Sequence, residues 1–207
     1  MTAFAPLLAV LLSYLLGSIC FGILISRMFG INLREHGSGN IGCTNVFRVI
    51  GKRAGLMTLA GDLIKGTVAV WIARAMTDQE GWLALSAFFA ILGHNFPVFF
   101  KFKGGKGVAT TFGVLLGYMP RIGFLLLLIW IATFALTRIS SVGALTVSVM
   151  LPGLAFFMGR SPVQTWFALL VGLMMLVRHK DNIKRLMRGE ERQRCILFFR
   201  TERIGFL

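Results

Sequence analysis

Three lysines and three glycines lie together near the end of residues 94–107, between two apolar runs. Glycine tolerates φ > 0, so successive backbone N–H groups can turn inward and hold an anion, and lysine adds a mobile positive charge. A P-loop is excluded, because Gly-Lys is followed here by Gly-Val rather than by Ser or Thr. A basic loop that touches lipid headgroups would have the same composition, and this stretch alone favours neither interpretation. The residues predicted here to bind phosphate are Lys103, Gly104, Gly105, Lys106 and Gly107.

A second polar stretch, residues 36–48, alternates glycines with small hydroxyl and amide side chains and ends on an arginine. Such donors, together with backbone N–H groups, suit phosphate oxygens, and an arginine can hold one phosphate through two parallel hydrogen bonds. The alternative is a flexible loop at the membrane interface, and the donor content favours the phosphate site. The predicted site residues are Gly37, Ser38, Gly39, Asn40, Thr44, Asn45 and Arg48.

Two further groups of polar residues can support or perform chemistry. Asp62 and Lys65 lie three residues apart in an apolar run, so they share a helical face and can neutralise each other. Ionisable residues inside a membrane usually face a site or cavity, but an ion pair that holds a bundle together explains them equally well. Downstream, His179 and Asn182 would share one face of a basic helix, where a histidine can act as a base or a donor. An amphipathic helix on anionic lipid explains the cations there but not these two residues.

The composition indicates an integral membrane protein. Of the 207 residues, 56% are hydrophobic, the mean hydropathy is +0.77 and the formal net charge is +14. A soluble domain would be less apolar, and a nucleic-acid-binding protein could be this basic but not this apolar. We therefore predict no nucleic-acid partner. The three cysteines fit neither a disulfide framework nor a zinc site, and no carboxylate cluster suggests a metal, so the sequence predicts neither metal nor cofactor.

Seven apolar runs predict an all-α bundle of seven transmembrane helices. The count depends on residues 108–136, because one helix of that length would exceed a hydrocarbon core of about 30 Å and would bury Arg121. Two helices broken at Pro120 put 18 of the 22 Lys and Arg residues on one side and only Arg74, Arg121 and Arg160 on the other. The positive-inside rule then places the N-terminus outside, the C-terminus in the cytoplasm and all three polar segments on the cytoplasmic face. The runs are residues 4–29, 54–76, 82–100, 108–119, 122–136, 139–158 and 163–177.

Four ordered motifs give about residues 4–191 a specific resemblance to the bacterial acyl-phosphate:glycerol-3-phosphate acyltransferase family, PlsY. They are Gly-Ser-Gly-Asn-x-Gly-x-Thr-Asn-x-x-Arg at 37–48, Asp-x-x-Lys-Gly at 62–66, Lys-Gly-Gly-Lys-Gly-Val-Ala-Thr at 103–110 and Arg-His-x-x-Asn-Ile-x-Arg-Leu-x-x-Gly-x-Glu at 178–191. The resemblance implies a multi-pass protein of the bacterial inner membrane with a cytoplasmic active site. It also implies acyl transfer from acyl phosphate to the sn-1 hydroxyl of glycerol 3-phosphate, giving lysophosphatidic acid and phosphate, and a functional link to the enzyme that makes acyl phosphate.

The resemblance assigns expected roles to the site residues. Ser38, Arg48, Lys103 and Lys106 would bind phosphates together with the glycine N–H groups. His179 and Asn182 would orient glycerol 3-phosphate, and Glu191 would position basic partners. Either His179 or a substrate phosphate would accept the hydroxyl proton. The catalytic residues implied in this way are Ser38, His179, Asn182 and Glu191, and Asp62 and Lys65 would support them.

The end of the chain departs from the family pattern. The closing sequence of the family is displaced to residues 201–205, and spacing favours Glu191 over Glu202 for its glutamate. We expect residues 1–191 to form one integral membrane domain and residues 192–207 to form a cytoplasmic basic tail.

Two other classes of membrane protein are the alternatives. A transporter of an organic phosphate would want internal repeats and polar residues near the middle of helices in both halves, whereas here the polar residues cluster at one face without a repeat. A lipid phosphotransferase would want metal-binding carboxylates. The sequence has no Gly-x-Ser-x-Gly, which disfavours a serine acyl-enzyme, and no histidine followed five residues later by aspartate, an arrangement of other acyltransferases.

Overall fold

The computed structural model describes residues 4–191, and in this range the chain forms α-helices and one short 3-10 helix, with no β-strand. The prediction of an all-α fold is therefore confirmed for these residues. The helices are α1 (Ala5–Gly17), α2 (Phe21–Met28), α3 (Cys43–Val49), α4 (Lys52–Met76), α5 (Glu80–Asn95), the 3-10 helix (Val98–Phe100), α6 (Val108–Tyr118), α7 (Pro120–Thr137), α8 (Ser140–Phe157), α9 (Pro162–Arg178) and α10 (Lys180–Met187).

Five segments of the described chain are long and apolar enough to cross a membrane. They are Ala5–Met28, Lys52–Met76, Glu80–Phe100, Pro120–Thr137 and Ser140–Phe157, while α6 and α9 are apolar but shorter. The predicted break near Pro120 is present, because α6 ends at Tyr118 and α7 begins at Pro120, where a missing N–H costs no hydrogen bond.

Two predicted runs differ from the helices observed. Residues 4–29 do not form one helix but break between α1 and α2, where the side chain of Lys65 donates a hydrogen bond to the free carbonyl of Ile19. Residues 82–100 were expected to be helical throughout, yet α5 ends at Asn95. The cause is Pro97, which cannot donate a backbone hydrogen bond and disfavours helical geometry in Phe96 before it.

The short helix α6 lies in the middle of the bundle. Eight of its 11 residues are buried, and it packs on α4, α5 and α7. Glycines allow the close contact with α4: a Cβ on Gly113 would lie 1.9 Å from the carbonyl oxygen of Leu63, and one on Gly66 would lie 2.5 Å from that of Thr110. With 11 residues, α6 spans about 16 Å and is shorter than a hydrocarbon core of about 30 Å.

Contacts at the end of the bundle where α6 finishes show how the chain reverses. Arg74 near the end of α4 donates to the carbonyl of Tyr118 at the end of α6 (3.3 Å). Ser161, just before α9, donates to Glu80 at the start of α5 (2.7 Å). Helices α4 and α6 therefore end where α5 and α9 begin, so that the chain runs back and forth and the polar motifs collect at the other end.

Candidate active site

The loop of residues 101–107 is held from two sides before it enters α6. The N–H of Gly105 donates to the carbonyl of His94 at the end of α5 (3.1 Å). On the other side, the guanidinium of Arg178 donates to the carbonyls of Gly104 (3.2 Å) and Gly105 (2.7 Å). A side chain at Gly105 is excluded, because its Cβ would lie 2.3 Å from Nε2 of His94. The carbonyls of Gly104 and Gly105 are thus engaged in hydrogen bonds. The loop then leads into α6, whose first N–H groups have no intrahelical partner and can bind an anion.

Lys106 joins this loop to α10. Its ammonium donates to Oδ1 of Asn182, and this fixes the orientation of the amide, whose Nδ2 donates to Oε1 of Glu191 (2.6 Å). Glu191 also accepts hydrogen bonds from Nε of Arg185 (2.6 Å) and from the hydroxyl of Ser141 at the start of α8 (2.8 Å). One carboxylate thus connects the glycine-rich loop, α8 and α10, and we call these five residues the Glu191 cluster.

Ionisation in the Glu191 cluster suits an anionic ligand. Burial, followed by the positive charge of Arg185, lowers the pKa of Lys106 to about 8. Burial would raise the pKa of Glu191, but hydrogen bonds from Arg185, Ser141 and Asn182 outweigh this and lower it. The carboxylate is therefore ionised at neutral pH. The lysine is mostly charged there but poorly solvated, so an incoming phosphate would restore the stabilisation that burial removes.

His179 lies between α9 and α10 and is buried, with 3% of its surface exposed. Its Nδ1 lies 2.8 Å from the carbonyl of Met175, so Nδ1 carries the proton and donates, which leaves Nε2 as an acceptor. Burial lowers the pKa of this histidine to about 4. The hydrogen bond to the Met175 carbonyl opposes this shift, and the positive charge of Lys106 adds to it. A neutral imidazole with a free lone pair can accept a hydrogen bond from a substrate hydroxyl.

The loop before α3 folds around Asn45. Its Oδ1 accepts from the N–H of Ser38 (2.9 Å) and its Nδ2 donates to the carbonyl of His36 (3.0 Å). Gly37 has φ +64°, and a Cβ there would lie 2.2 Å from Oδ1 of Asn45, so the turn requires glycine. Asn45 is buried, and its amide acts here by shaping the loop, whereas the side chain of Ser38 is exposed.

Helix α3 connects this loop to the Glu191 cluster. The hydroxyls of Thr44 and Ser140 lie 3.3 Å apart, and Ser140 directly precedes Ser141. Arg48 lies in the last turn of α3 with an exposed side chain. The remaining predicted residues of the loop, Gly39 and Asn40, are half-buried.

Asp62 and Lys65 lie beneath the glycine-rich loop rather than in the Glu191 cluster. Both are buried, and the Lys65 ammonium donates to Oδ1 of Asp62 (2.7 Å), the carbonyl of Ile19 (2.6 Å) and Nδ1 of His94 (2.9 Å). All three donors of the ammonium are thus satisfied. Since the carbonyl of His94 holds Gly105, this ion pair supports the loop from below.

Tertiary contacts involve residues that sequence reasoning had not included in the site. Ser141 binds Glu191, Arg178 holds the glycine-rich loop and His94 joins that loop to Lys65. Arg178 and His94 belong to polar motifs and could have been found there, whereas Ser141 has no signal in the sequence. Among residues 4–191, no group of three or more His, Cys, Asp or Glu side chains could hold a metal ion. Glu202 and residues 192–207 lie outside the described residues.

Comparisons with known proteins point in one direction. The family model described as glycerol-3-phosphate acyltransferase matches residues 7–189. A glycerol-3-phosphate acyltransferase of Methylobacillus flagellatus is 46% identical over 186 residues, which cover 88% of this chain and 93% of the relative. One of Agrobacterium fabrum is 47% identical over 188 residues, covering 89% of each chain.

Solved structures agree with the sequence relatives. A crystal structure of PlsY, an integral membrane glycerol 3-phosphate acyltransferase, in its glycerol 3-phosphate form is 36% identical, with a TM-score of 0.87 over 91% of this chain and 94% of that one. Its lysophosphatidic acid form gives a TM-score of 0.85 at 35% identity, over the same shares of the two chains.

Proposed function

Since this chain belongs to the glycerol-3-phosphate acyltransferase family, we propose that it transfers an acyl group from acyl phosphate to the sn-1 hydroxyl of glycerol 3-phosphate, giving lysophosphatidic acid and phosphate. The observation that supports this most directly is the meeting of the glycine-rich loop with α10 through Lys106, Asn182 and Glu191. Two anionic substrates need two phosphate-binding regions, and the loop before α3 supplies the second set of donors.

Backbone N–H groups and side-chain donors bind the substrate phosphates together. The N-terminus of α6 and Lys106 offer N–H groups and charge from one side, and Ser38 and Arg48 offer them from the other. Lys103 is exposed at the edge of the glycine-rich loop and adds a further cation. The Glu191 carboxylate keeps Asn182 oriented so that its carbonyl oxygen meets Lys106, and in this way it positions rather than reacts.

The reaction needs positioning more than covalent catalysis, because acyl phosphate is already an activated mixed anhydride. The sn-1 oxygen attacks the acyl carbon, the bond from that carbon to the phosphate oxygen breaks, and phosphate leaves. His179 orients the hydroxyl by accepting its hydrogen bond at Nε2. Because its pKa is about 4, this histidine is a weak base at pH 7, and the departing phosphate takes up the proton.

We propose a seven-crossing arrangement in the bacterial inner membrane, with the N-terminus outside and the site facing the cytoplasm. The reversal of the chain from α4 to α9 supports six of the crossings, and α1 with α2 makes the first. The excess of Lys and Arg at the end with the polar motifs supports the orientation. A substrate with an acyl chain reaches such a site from the membrane, and the enzyme that makes acyl phosphate is its functional partner.

The donor is tested with purified protein, glycerol 3-phosphate and one acyl donor at a time, in parallel assays with and without EDTA. We expect lysophosphatidic acid and phosphate in equal amounts from acyl phosphate, and none from acyl-CoA or acylated carrier protein. The EDTA arm tests the prediction that no metal takes part. Product formation from acyl-CoA alone would contradict the proposed donor, and loss of activity in EDTA with recovery in magnesium would favour a metal-dependent mechanism.

A further inference from the structure

A cavity of 610 Å³ lies beside the glycine-rich loop, away from the Glu191 cluster. It is bounded by α2, the segment that follows α2, and the chain around the 3-10 helix. Four cations line it, Arg27, Arg34, Lys101 and Lys103, and residues such as Ile23 and Phe100 give it an apolar wall. No aspartate or glutamate is among its described lining residues.

Within residues 4–191, the two guanidinium groups of the cavity are held by uncharged groups, and the carboxylate of Glu35 accepts a hydrogen bond from the lining residue Asn32 (2.5 Å). Arg34 donates to the carbonyl of Lys103 (2.6 Å), and the guanidinium of Arg27 lies 5.5 Å from the centre of the Phe100 ring. Both partners are uncharged, so they position the guanidinium groups without cancelling them. The ion pairs found within residues 4–191 involve none of the four cations. Like charges gathered around one space repel unless an anion joins them.

The backbone at the cavity wall adopts an energetically disfavoured conformation at two consecutive residues. Lys101 and Phe102 are consecutive non-glycine residues with φ of 54° and 58°, in a turn closed by a hydrogen bond from the Phe102 N–H to the carbonyl of Pro97 (2.9 Å). Left-handed backbone at a non-glycine residue is disfavoured, and it collects at ligand-binding positions. This turn brings Lys101 and Lys103 to the same cavity while the Phe102 between them remains 59% exposed.

Large apolar side chains are exposed on the segments that form the cavity wall: Phe99 lines the cavity, and Met28 and Phe29 lie in the sequence between the lining residues Arg27 and Gly30. Met28 is 77% exposed, Phe29 55% and Phe99, which lines the cavity, 59%. In a membrane protein such residues lie among acyl chains or at headgroup level, next to cations that meet phosphates. A soluble phosphate compound would need the cations but not these exposed apolar side chains.

We propose that this cavity binds the phosphate headgroup of an anionic membrane lipid, at a site that adjoins the one where acyl transfer occurs and shares only Lys103 with it. The phosphate lies among the four cations, and the acyl chains lie along the exposed apolar side chains. Because Lys103 belongs both to the cavity wall and to the glycine-rich loop, a bound lipid holds the entrance of that loop in place. The test measures lipid binding and so stands apart from the acyl-transfer assay.

The experiment measures retained lipid on the purified full-length protein by native mass spectrometry, with phosphatidylglycerol, phosphatidylcholine or inorganic phosphate as the probe. Arg27→Gln combined with Lys101→Gln removes two cavity cations that have no place in the proposed catalytic machinery. Arg53→Gln combined with Arg188→Gln removes the same charge from two exposed positions outside the cavity. We expect the wild type to prefer phosphatidylglycerol. The cavity variant should bind phosphatidylglycerol about tenfold or more weakly than the wild type, because it loses charge-assisted contacts with the phosphate. The control variant should stay within about twofold of the wild type.

Folding is checked by unfolding temperature, and Lys101→Gln alone gives a milder second variant, since the Lys101 side chain is exposed. Its expected loss is intermediate. Equal losses in the cavity and control variants would show general attraction to a basic surface and overturn the proposal. Equal retention of phosphatidylcholine would do the same. Displacement of phosphatidylglycerol by millimolar inorganic phosphate would assign the site to a soluble phosphate and overturn the lipid assignment.

Discussion

Because of Lys106, kcat/KM should depend on pH in a range where a lysine with an ordinary pKa stays protonated. Its pKa of about 8 reflects burial and then the charge of Arg185, in the protein without substrate. At pH 7 about nine-tenths of Lys106 is protonated, and at pH 9 about one-tenth, from the titration of a single group. Only the protonated form offers a charge to the substrate phosphate. We therefore expect kcat/KM to fall about tenfold between pH 7 and pH 9.

The sign of this effect follows from which state is being titrated. The pKa of Lys106 is lowered in the free enzyme, so the cation is lost as pH rises through 8. Binding of a phosphate stabilises the cation and raises the pKa again, so kcat, which reports the complex, should remain nearly constant over the same interval. The loss should appear as a rise in KM for the anionic substrate.

Steady-state kinetics from pH 6.5 to 9.5 test this, with Lys106→Ala and Lys106→Arg beside the wild type. Loss of a charge-assisted hydrogen bond to a buried anion costs about 1.5–3 kcal/mol, so Lys106→Ala should lower kcat/KM at pH 7 about ten- to a hundredfold. Arginine stays protonated, so Lys106→Arg should lose the fall above pH 8. An unchanged fall in Lys106→Arg, or a flat wild-type profile to pH 9, would refute the assignment.

Three further predictions concern the other motifs. Arg48→Ala should lower kcat/KM about ten- to a hundredfold, and Arg48→Lys should recover little, since lysine cannot form two parallel hydrogen bonds. The control Arg53→Ala, at another exposed cation, should stay close to wild type. An equal loss for Arg48→Ala in neutral and in anionic bilayers would exclude a lipid-surface effect. Glu191→Ala should lower kcat/KM by a similar factor because Asn182 loses the partner that orients its amide, whereas an unaffected variant would show that the orientation is unimportant. In sealed vesicles, impermeant thiol reagents should label Cys43 only from the cytoplasmic side. The same is expected of Cys195, which lies outside the described residues, and its labelling from the periplasmic side would contradict the seven-crossing arrangement.

Much of the architecture could be predicted because hydrophobic length and charge act locally. The division at Pro120 follows from the length of the apolar run and the position of Arg121, and the structure confirms two helices there. The positive-inside rule also implied that distant polar segments share one face. Lys106 and Asn182, 76 residues apart, do meet.

Contacts between helices could not be predicted in the same way. Ser141 stands in an ordinary apolar helix, and its hydrogen bond to Glu191 depends on how α8 packs near α10. The break between α1 and α2 depends on an ammonium group 46 residues further along the chain. In both cases the deciding partner is remote in sequence, and no local pattern identifies it.

The ion pair in α4 shows why the sequence alone left two interpretations equal. A role in the site and a role in holding the bundle together would both place Asp62 and Lys65 three residues apart. In the structure the pair has both roles, because it joins parts of the bundle and also supports the glycine-rich loop. Lys65 holds the Ile19 carbonyl at the helix break and Nδ1 of His94, whose own carbonyl holds Gly105. Replacing a buried pair by apolar residues is often neutral for stability, whereas removing one partner leaves a buried charge and costs about 3–5 kcal/mol. The pair therefore contributes more to the position of the glycine-rich loop than to the net stability of the bundle.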